Sequence, residues 1–145
     1  MNVVELERRY RFSAAHRYHR PEWSEEENAR RFGKCAWAPG HGHNYRVVIR
    51  VAGEPDPRTG FVIDLTELDA RVHGLVVEPL DHRHLNEAVR EFASGASIPS
   101  CENLVLWIRD KLLHALPASC HLVEVRVAED DDLAAVWRAR REPIP

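Results

Sequence analysis

Chemistry-bearing side chains concentrate between Cys35 and Tyr45, in the run Cys-Ala-Trp-Ala-Pro-Gly-His-Gly-His-Asn-Tyr. His41 and His43 are separated by one glycine, and the residues from Asn44 onward read as a strand. Side chains two apart on a strand share a face, so the two imidazoles project together at a spacing that suits one metal ion. Gly40 and Gly42 carry no side chain to crowd the approach. The first strand supplies a third imidazole: Val4, Leu6, Arg8, Tyr10, Phe12, Ala14 and His16 share one parity, and Glu5, Glu7, Arg9, Arg11 and Ser13 the other. His16 therefore ends the apolar face of a half-buried strand. Three neutral imidazoles with an open position describe a catalytic zinc site better than a structural one. The plainer alternative is coincidence among nine histidines.

Other candidates lie further apart. Cys35 sits six residues before His41, where a cation would depress its pKa and raise the thiolate fraction; otherwise it is a small buried hydrophobe. Cys101 and Cys120 have no such neighbours and read as structural. Asp81-His82 pairs a carboxylate with an imidazole, the usual means of orienting the ring and stabilising its protonated form, or else is an exposed loop pair. Glu129 continues the parity of Val123, Val125 and Val127, and a carboxylate ending an apolar face needs a partner. An aminopyrimidine presents two adjacent N–H donors that a carboxylate accepts in parallel. The other reading ends the strand at Ala128 and gives Glu129 to an acidic turn. Glu102 falls in the first turn of a helix, where negative charge is favoured in any case.

The elements that position these groups follow from periodicity. Residues 3–16 form a strand. Ser24 with Glu27 is a capping box opening a helix that Gly33 stops. This excursion carries Arg17, Arg20, Arg30, Arg31 and Lys34, either a solvated face or a basic rim for a phosphorylated substrate. Residues 43–52 form the second strand, in which Val48 interrupts the polar face. Phe61-Val62-Ile63 reads as a short extended run. Asp64 caps a helix whose apolar stripe is Leu65, Leu68, Val72, Leu75 and Val76, and 77–86 reads as a loop. Pro99-Ser100-Cys101-Glu102 begins a second long helix, lined by Leu104, Val105, Ile108, Leu112, Ala115 and Leu116 and ended at Pro117. Residues 122–129 and 133–139 are strands around the turn Asp130-Asp131-Asp132, and Arg140 to Pro145 are a loose tail. Strand, strand, helix, helix, strand, strand predicts an α+β fold: a four-stranded antiparallel sheet with two long helices on one face.

The 145 residues suit a single domain over 1–145. With 44% hydrophobic and 30% charged residues the chain is globular rather than disordered. A net charge of -3 argues against general nucleic-acid binding. No apolar run is long enough to span a membrane. The charged N-terminus is no signal peptide, and three scattered cysteines fit a reducing cytoplasm.

Phe-Ser-Ala-Ala-His at 12–16, Cys35 followed by His41-Gly42-His43-Asn44-Tyr45, Pro79-Leu80-Asp81-His82 and Glu102-Asn103, in this order, resemble the 6-pyruvoyltetrahydropterin synthase family, which includes 6-carboxytetrahydropterin synthase of queuosine biosynthesis. The resemblance runs from about Tyr10 to about Asp131. It implies a tunnelling-type fold whose sheets join into a barrel, and a homohexamer of two trimers with active sites at subunit boundaries. It implies zinc on His16, His41 and His43, proton transfer by Cys35, Asp81 and His82, and pterin binding by Glu129 and Glu102. The implied reaction is that of a lyase: 7,8-dihydroneopterin triphosphate loses triphosphate and gives 6-pyruvoyltetrahydropterin. Two alternatives stand beside it, the 6-carboxytetrahydropterin synthase reaction and a pterin- or zinc-binding module without turnover. The Cys35–His41 spacing is the longer form of the biopterin-pathway synthases, whereas queuosine-pathway members are two residues shorter. A folate-branch member would carry glutamate near the thiol, and residues 36–40 contain none. Ser100-Cys101 departs from the family, since many members have two small hydroxyl residues there.

Overall fold

The structure, a computed structural model, describes residues 2–140; of the expected tail, 141–145 lie outside them. β1 (Val4–His16) leads through α1 (Glu25–Phe32) and a 3-10 turn at Gly33–Ala36 to β2 (His41–Gly53). α2 (Leu65–Val72) runs on through a wider π turn at His73–Val77 into α3 (Glu78–Leu80). A two-residue strand, β3 (Arg83–His84), precedes the short helices α4 (Leu85–Ala88) and α5 (Arg90–Ala93). α6 (Cys101–Leu112), β4 (Cys120–Ala128) and β5 (Ala134–Arg138) complete the chain.

The sheet has five strands in the order β3-β1-β2-β4-β5, not four. The long strands are antiparallel, as expected, but β3 pairs parallel with β1 through Ala14↔Arg83 and Ala15↔His84. The expected loop over 77–86 is thus largely ordered, while Phe61-Val62-Ile63 joins no strand. Beyond Ala14 and Ala15, the outer edge of β1 has no partner strand among the described residues, and neither has that of β5.

Capping agrees with the sequence. The Ser24 hydroxyl accepts from the Glu27 amide, Asp64 from Thr66, and Ser100 from Asn103. The core lies between one face of the sheet and the helices. Tyr10, Phe12, Tyr45, Val47, Ile49, Val51, Val125 and Val127 face Leu68, Val72, Val76, Leu104, Ile108 and Leu112. Burial of each such side chain is worth about 1.5–3 kcal/mol. Leu65 is the exception in its expected stripe and is exposed. A β-bulge between Arg50/Val51 and Glu124/Leu122 puts Leu122, not Val123, into the core, so the apolar parity of β4 is regular only from Val125. No helix among the described residues is long and apolar enough to cross a membrane.

Candidate active site and metal centre

The register of β1 against β2 places His16 directly opposite His41, with His43 diagonal to it opposite Ala14. Directly opposed Cβ atoms lie about 4.5–5.5 Å apart and the diagonal remains within reach of long side chains. All three histidines share the core face. His16 Nε2 is 3.2 Å from His41 Nε2 and 3.1 Å from His43 Nε2, and all three ligand nitrogens fall within 4.8 Å of one another. The rings are mutually edge-on, with interplanar angles of 81°, 86° and 83°. Zinc–nitrogen bonds of about 2.0–2.1 Å imply tetrahedral N···N separations of about 3.3 Å, so the triad fits zinc.

The tautomer fits as well. His16 Nδ1 donates to the Pro99 carbonyl at 2.8 Å, and a carbonyl only accepts, so Nε2 keeps its lone pair for a metal. Tyr45 Oη lies 3.1 Å from the same Nδ1. Pro99 sits just before the Ser100 cap, so the start of α6 orients the deepest ligand. His16 is 1% exposed, and burial pushes its pKa down to about 4, with His43 and His41 adding to the fall.

Cys35 lies half-buried in the turn Gly33–Ala36, where its carbonyl accepts from the Tyr18 amide at 2.8 Å. It is not one of the clustered ligands. In the metal-free chain burial pushes its thiol pKa up and the Glu129 carboxylate pushes it further; the fall expected from the sequence depends on a cation at the histidines. Glu129 lies just past the end of β4, yet its side chain is only 11% exposed. Its Oε2 is 3.8 Å from His43 Nε2 and is buried without a hydrogen-bond partner. Both sequence readings of Glu129 hold in part: it belongs to the turn, but it is aimed at the site. Burial, and then Glu129, push the Cys101 thiol up to about 12.

Asp81 and His82 do pair with each other, through Nδ1 and Oδ2 at 2.9 Å. Ser13 fixes them from β1: its amide donates to Asp81 Oδ1 at 2.9 Å and its carbonyl accepts from the His82 amide at 2.6 Å. The Ser13 amide, then His82, hold the Asp81 carboxyl below the usual range. A cavity of about 490 Å³ joins His82 to Gly42 and His43. Glu102 is exposed on the first turn of α6, with no ion pair among the described residues. The structure thus gathers His16, His41, His43 and Glu129, places Asp81-His82 across a cavity, and leaves Glu102 at the margin.

A family model described as 6-pyruvoyl tetrahydropterin synthase matches residues 5–140. The chain belongs to the 6-pyruvoyl tetrahydropterin synthase family. The human 6-pyruvoyl tetrahydrobiopterin synthase is 41% identical over 135 residues, 93% of this chain and 91% of the relative. That of Drosophila melanogaster is 42% identical over 127 residues, 88% of this chain and 74% of the relative. The solved 6-pyruvoyl tetrahydropterin synthase of Caenorhabditis elegans superposes with a TM-score of 0.87 at 34% identity, covering 97% of this chain and 98% of that one.

His84 matches no family ligand, and the sequence reading set it aside. Its Nε2 donates to the Pro39 carbonyl at 2.8 Å and ties β3 to the loop between Cys35 and His41, while its Nδ1 is buried without a partner. No periodic pattern announces a two-residue strand. In the basic excursion Arg20 pairs with Glu22, Arg30 and Arg31 with Glu27, and Arg17 with Glu25 and the Ala36 carbonyl, while Lys34 lies over the Trp37 ring.

The depressed pKa of His16 sets an acid response for metal-free protein. The unfolded chain takes up this proton near pH 6.5, the folded chain only near 4. Stability present above pH 6.5 is therefore lost as pH falls toward 4, by an amount on the order of 3 kcal/mol. Denaturant unfolding of chelator-treated protein between pH 7.5 and 4 measures this loss. His16→Gln should flatten the profile; an equally steep profile in that variant assigns the acid response to other groups.

Proposed function

We propose that this chain is a zinc-dependent 6-pyruvoyltetrahydropterin synthase, a lyase that converts 7,8-dihydroneopterin triphosphate to 6-pyruvoyltetrahydropterin and triphosphate. The observation that carries the reading is the triad His16, His41 and His43 with the Glu129 carboxylate beside it, whose Oε2 is buried without a hydrogen bond 3.8 Å from His43. Zinc on that triad supplies Lewis acidity toward the oxygens of the substrate side chain. Glu129 accepts the paired N–H donors of the aminopyrimidine, which satisfies its buried oxygen and sets the ring beside the histidines. Cys35 takes and returns protons at the side-chain carbons. His82, held by Asp81, exchanges those protons with the side-chain oxygens. Glu102 contributes to the pterin pocket from the first turn of α6.

The functional unit is a homohexamer of two trimers, with one synthase domain per chain and sites at subunit boundaries. The unpartnered outer edges of β1 and β5 support it, since exposed edges are protected by pairing and the two would close a barrel. The deciding experiment incubates zinc-loaded protein with dihydroneopterin triphosphate and identifies the product by mass. The pyruvoyl product and released triphosphate are expected, from a species that sediments as a hexamer. The carboxy product would transfer the chain to the queuosine-type reaction, and no turnover would leave a binding module.

A further inference from the structure

We propose that the cavity between the ends of β1 and β2 and strand β3 is a polyphosphate subsite, with Asn44 and Arg83 as its donors and His82 at its border. It names the seat of the substrate's triphosphate and in that respect rests on the function proposed above. Ser13 and Asn44 are directly opposed on the solvent face of the sheet. The Ser13 hydroxyl donates to Asn44 Oδ1 at 2.7 Å, so the amide nitrogen of Asn44 is left over, and it has no partner among the described residues. The pairing Ala14↔Arg83 brings Arg83 alongside β1, where it lines the same cavity as Ser13 and Asn44. The side chain of Arg83 is exposed and makes no ion pair or hydrogen bond among the described residues. His82 spends Nδ1 on Asp81, and its 82% exposed side chain keeps Nε2 for a ligand. Two donor groups without acceptors thus line one cavity of about 490 Å³, with His82 at its border.

The backbone points the same way. His82 has φ 58°, a left-handed conformation that is uncommon for a residue with a Cβ and clusters at ligand-binding sites. The two Ser13 backbone hydrogen bonds hold it there.

Charge divides the site into two ends. The lining of this cavity contains no carboxylate; Asp81 behind it is already engaged. The adjoining cavity, about 470 Å³, is lined by Glu129, Asp130 and Asp131 as well as Arg11 and Arg46. Gly42, His43 and Asn44 belong to both linings. A side chain at 42 would stand in that shared wall, although the fold leaves room for one, its nearest neighbour being 3.5 Å away. A molecule with a donor-rich ring at one end and a polyphosphate at the other would lie across the wall, ring toward Glu129 and phosphates toward Arg83.

Calorimetry with inorganic triphosphate tests the site without turnover. Zinc-loaded wild type should bind it, more weakly as salt rises. Arg83→Ala and Asn44→Ala should each weaken binding roughly tenfold to a hundredfold, and Arg83→Lys should restore part of it. No binding by wild type, or equal binding by wild type and both variants, overturns the proposal. Kinetics with the pterin triphosphate separate the two sources of the anion. A KM raised in Arg83→Ala identifies the substrate's own phosphates; an unchanged KM with weaker inhibition by triphosphate identifies the released product. Arg83-dependent triphosphate binding in a protein that turns over no pterin would sustain the subsite and refute the proposed reaction.

Discussion

Cys35→Ala should slow turnover by ~10²–10⁴, the usual contribution of a positioned proton-transfer group, while zinc content and oligomer stay as in wild type. The structure isolates the thiol from other duties. The loop is held through main-chain carbonyls: that of Cys35 by the Tyr18 amide, that of Ala36 by Arg17, and that of Pro39 by His84. Removing Sγ disturbs none of these contacts, and Cys35 is outside the histidine cluster. The same variant carries a test of pH dependence. In the metal-free chain burial and Glu129 raise the thiol pKa, so the thiolate forms only in the alkaline range, and reactivity toward a disulfide reagent should rise there. Zinc on the triad opposes Glu129 and should shift that rise to lower pH. Near-normal turnover in Cys35→Ala would move the base to Asp81-His82. Loss of zinc with the thiol would make Cys35 a fourth ligand and the site a closed, structural one.

What the sequence disclosed and what it withheld divide along physical lines. β1 was legible because one face is buried, and burial of one face imposes period two on Tyr10, Phe12, Ala14 and His16. The helix starts were legible because Ser24, Asp64 and Ser100 satisfy amides that every helix leaves open. β3 was not legible: its pairing with Ala14 and Ala15 is a tertiary event, and two residues carry no period. The bulge in β4 was equally hidden, since Val123 looks like any other member of an alternating series. Glu129 was half legible. Its parity with Val125 and Val127 was visible, but not that its Oε2 would be buried near His43 without a hydrogen bond. The Cys35 environment was half legible for a related reason: the sequence pointed to a metal cation nearby and gave no sign of the carboxylate that raises the thiol pKa in the metal-free chain.

His43→Ala should abolish zinc binding that is close to one ion per chain in wild type, and turnover with it. The triad has no reserve ligand among the described residues: no other histidine, cysteine or carboxylate joins the three in one cluster. Two imidazoles remain in the variant, too few for tight binding at an open site. The expected loss exceeds the 10–100-fold that follows removal of a group merely supporting a ligand. Tyr45→Phe supplies that milder comparison, since Tyr45 Oη touches His16 Nδ1 while Pro99 remains to fix the tautomer. The fold should survive His43→Ala. Phe12 still stacks on Tyr45, at 4.9 Å between ring centroids, and the β1–β2 register runs from Val4 to His16 without help from the imidazole. Elemental analysis beside circular dichroism separates the outcomes. A folded, zinc-free variant confirms the ligand set, and a folded variant with full zinc refutes it. An unfolded variant would show that the third imidazole is needed for packing, and His43→Gln, closer to it in volume, would then carry the zinc measurement.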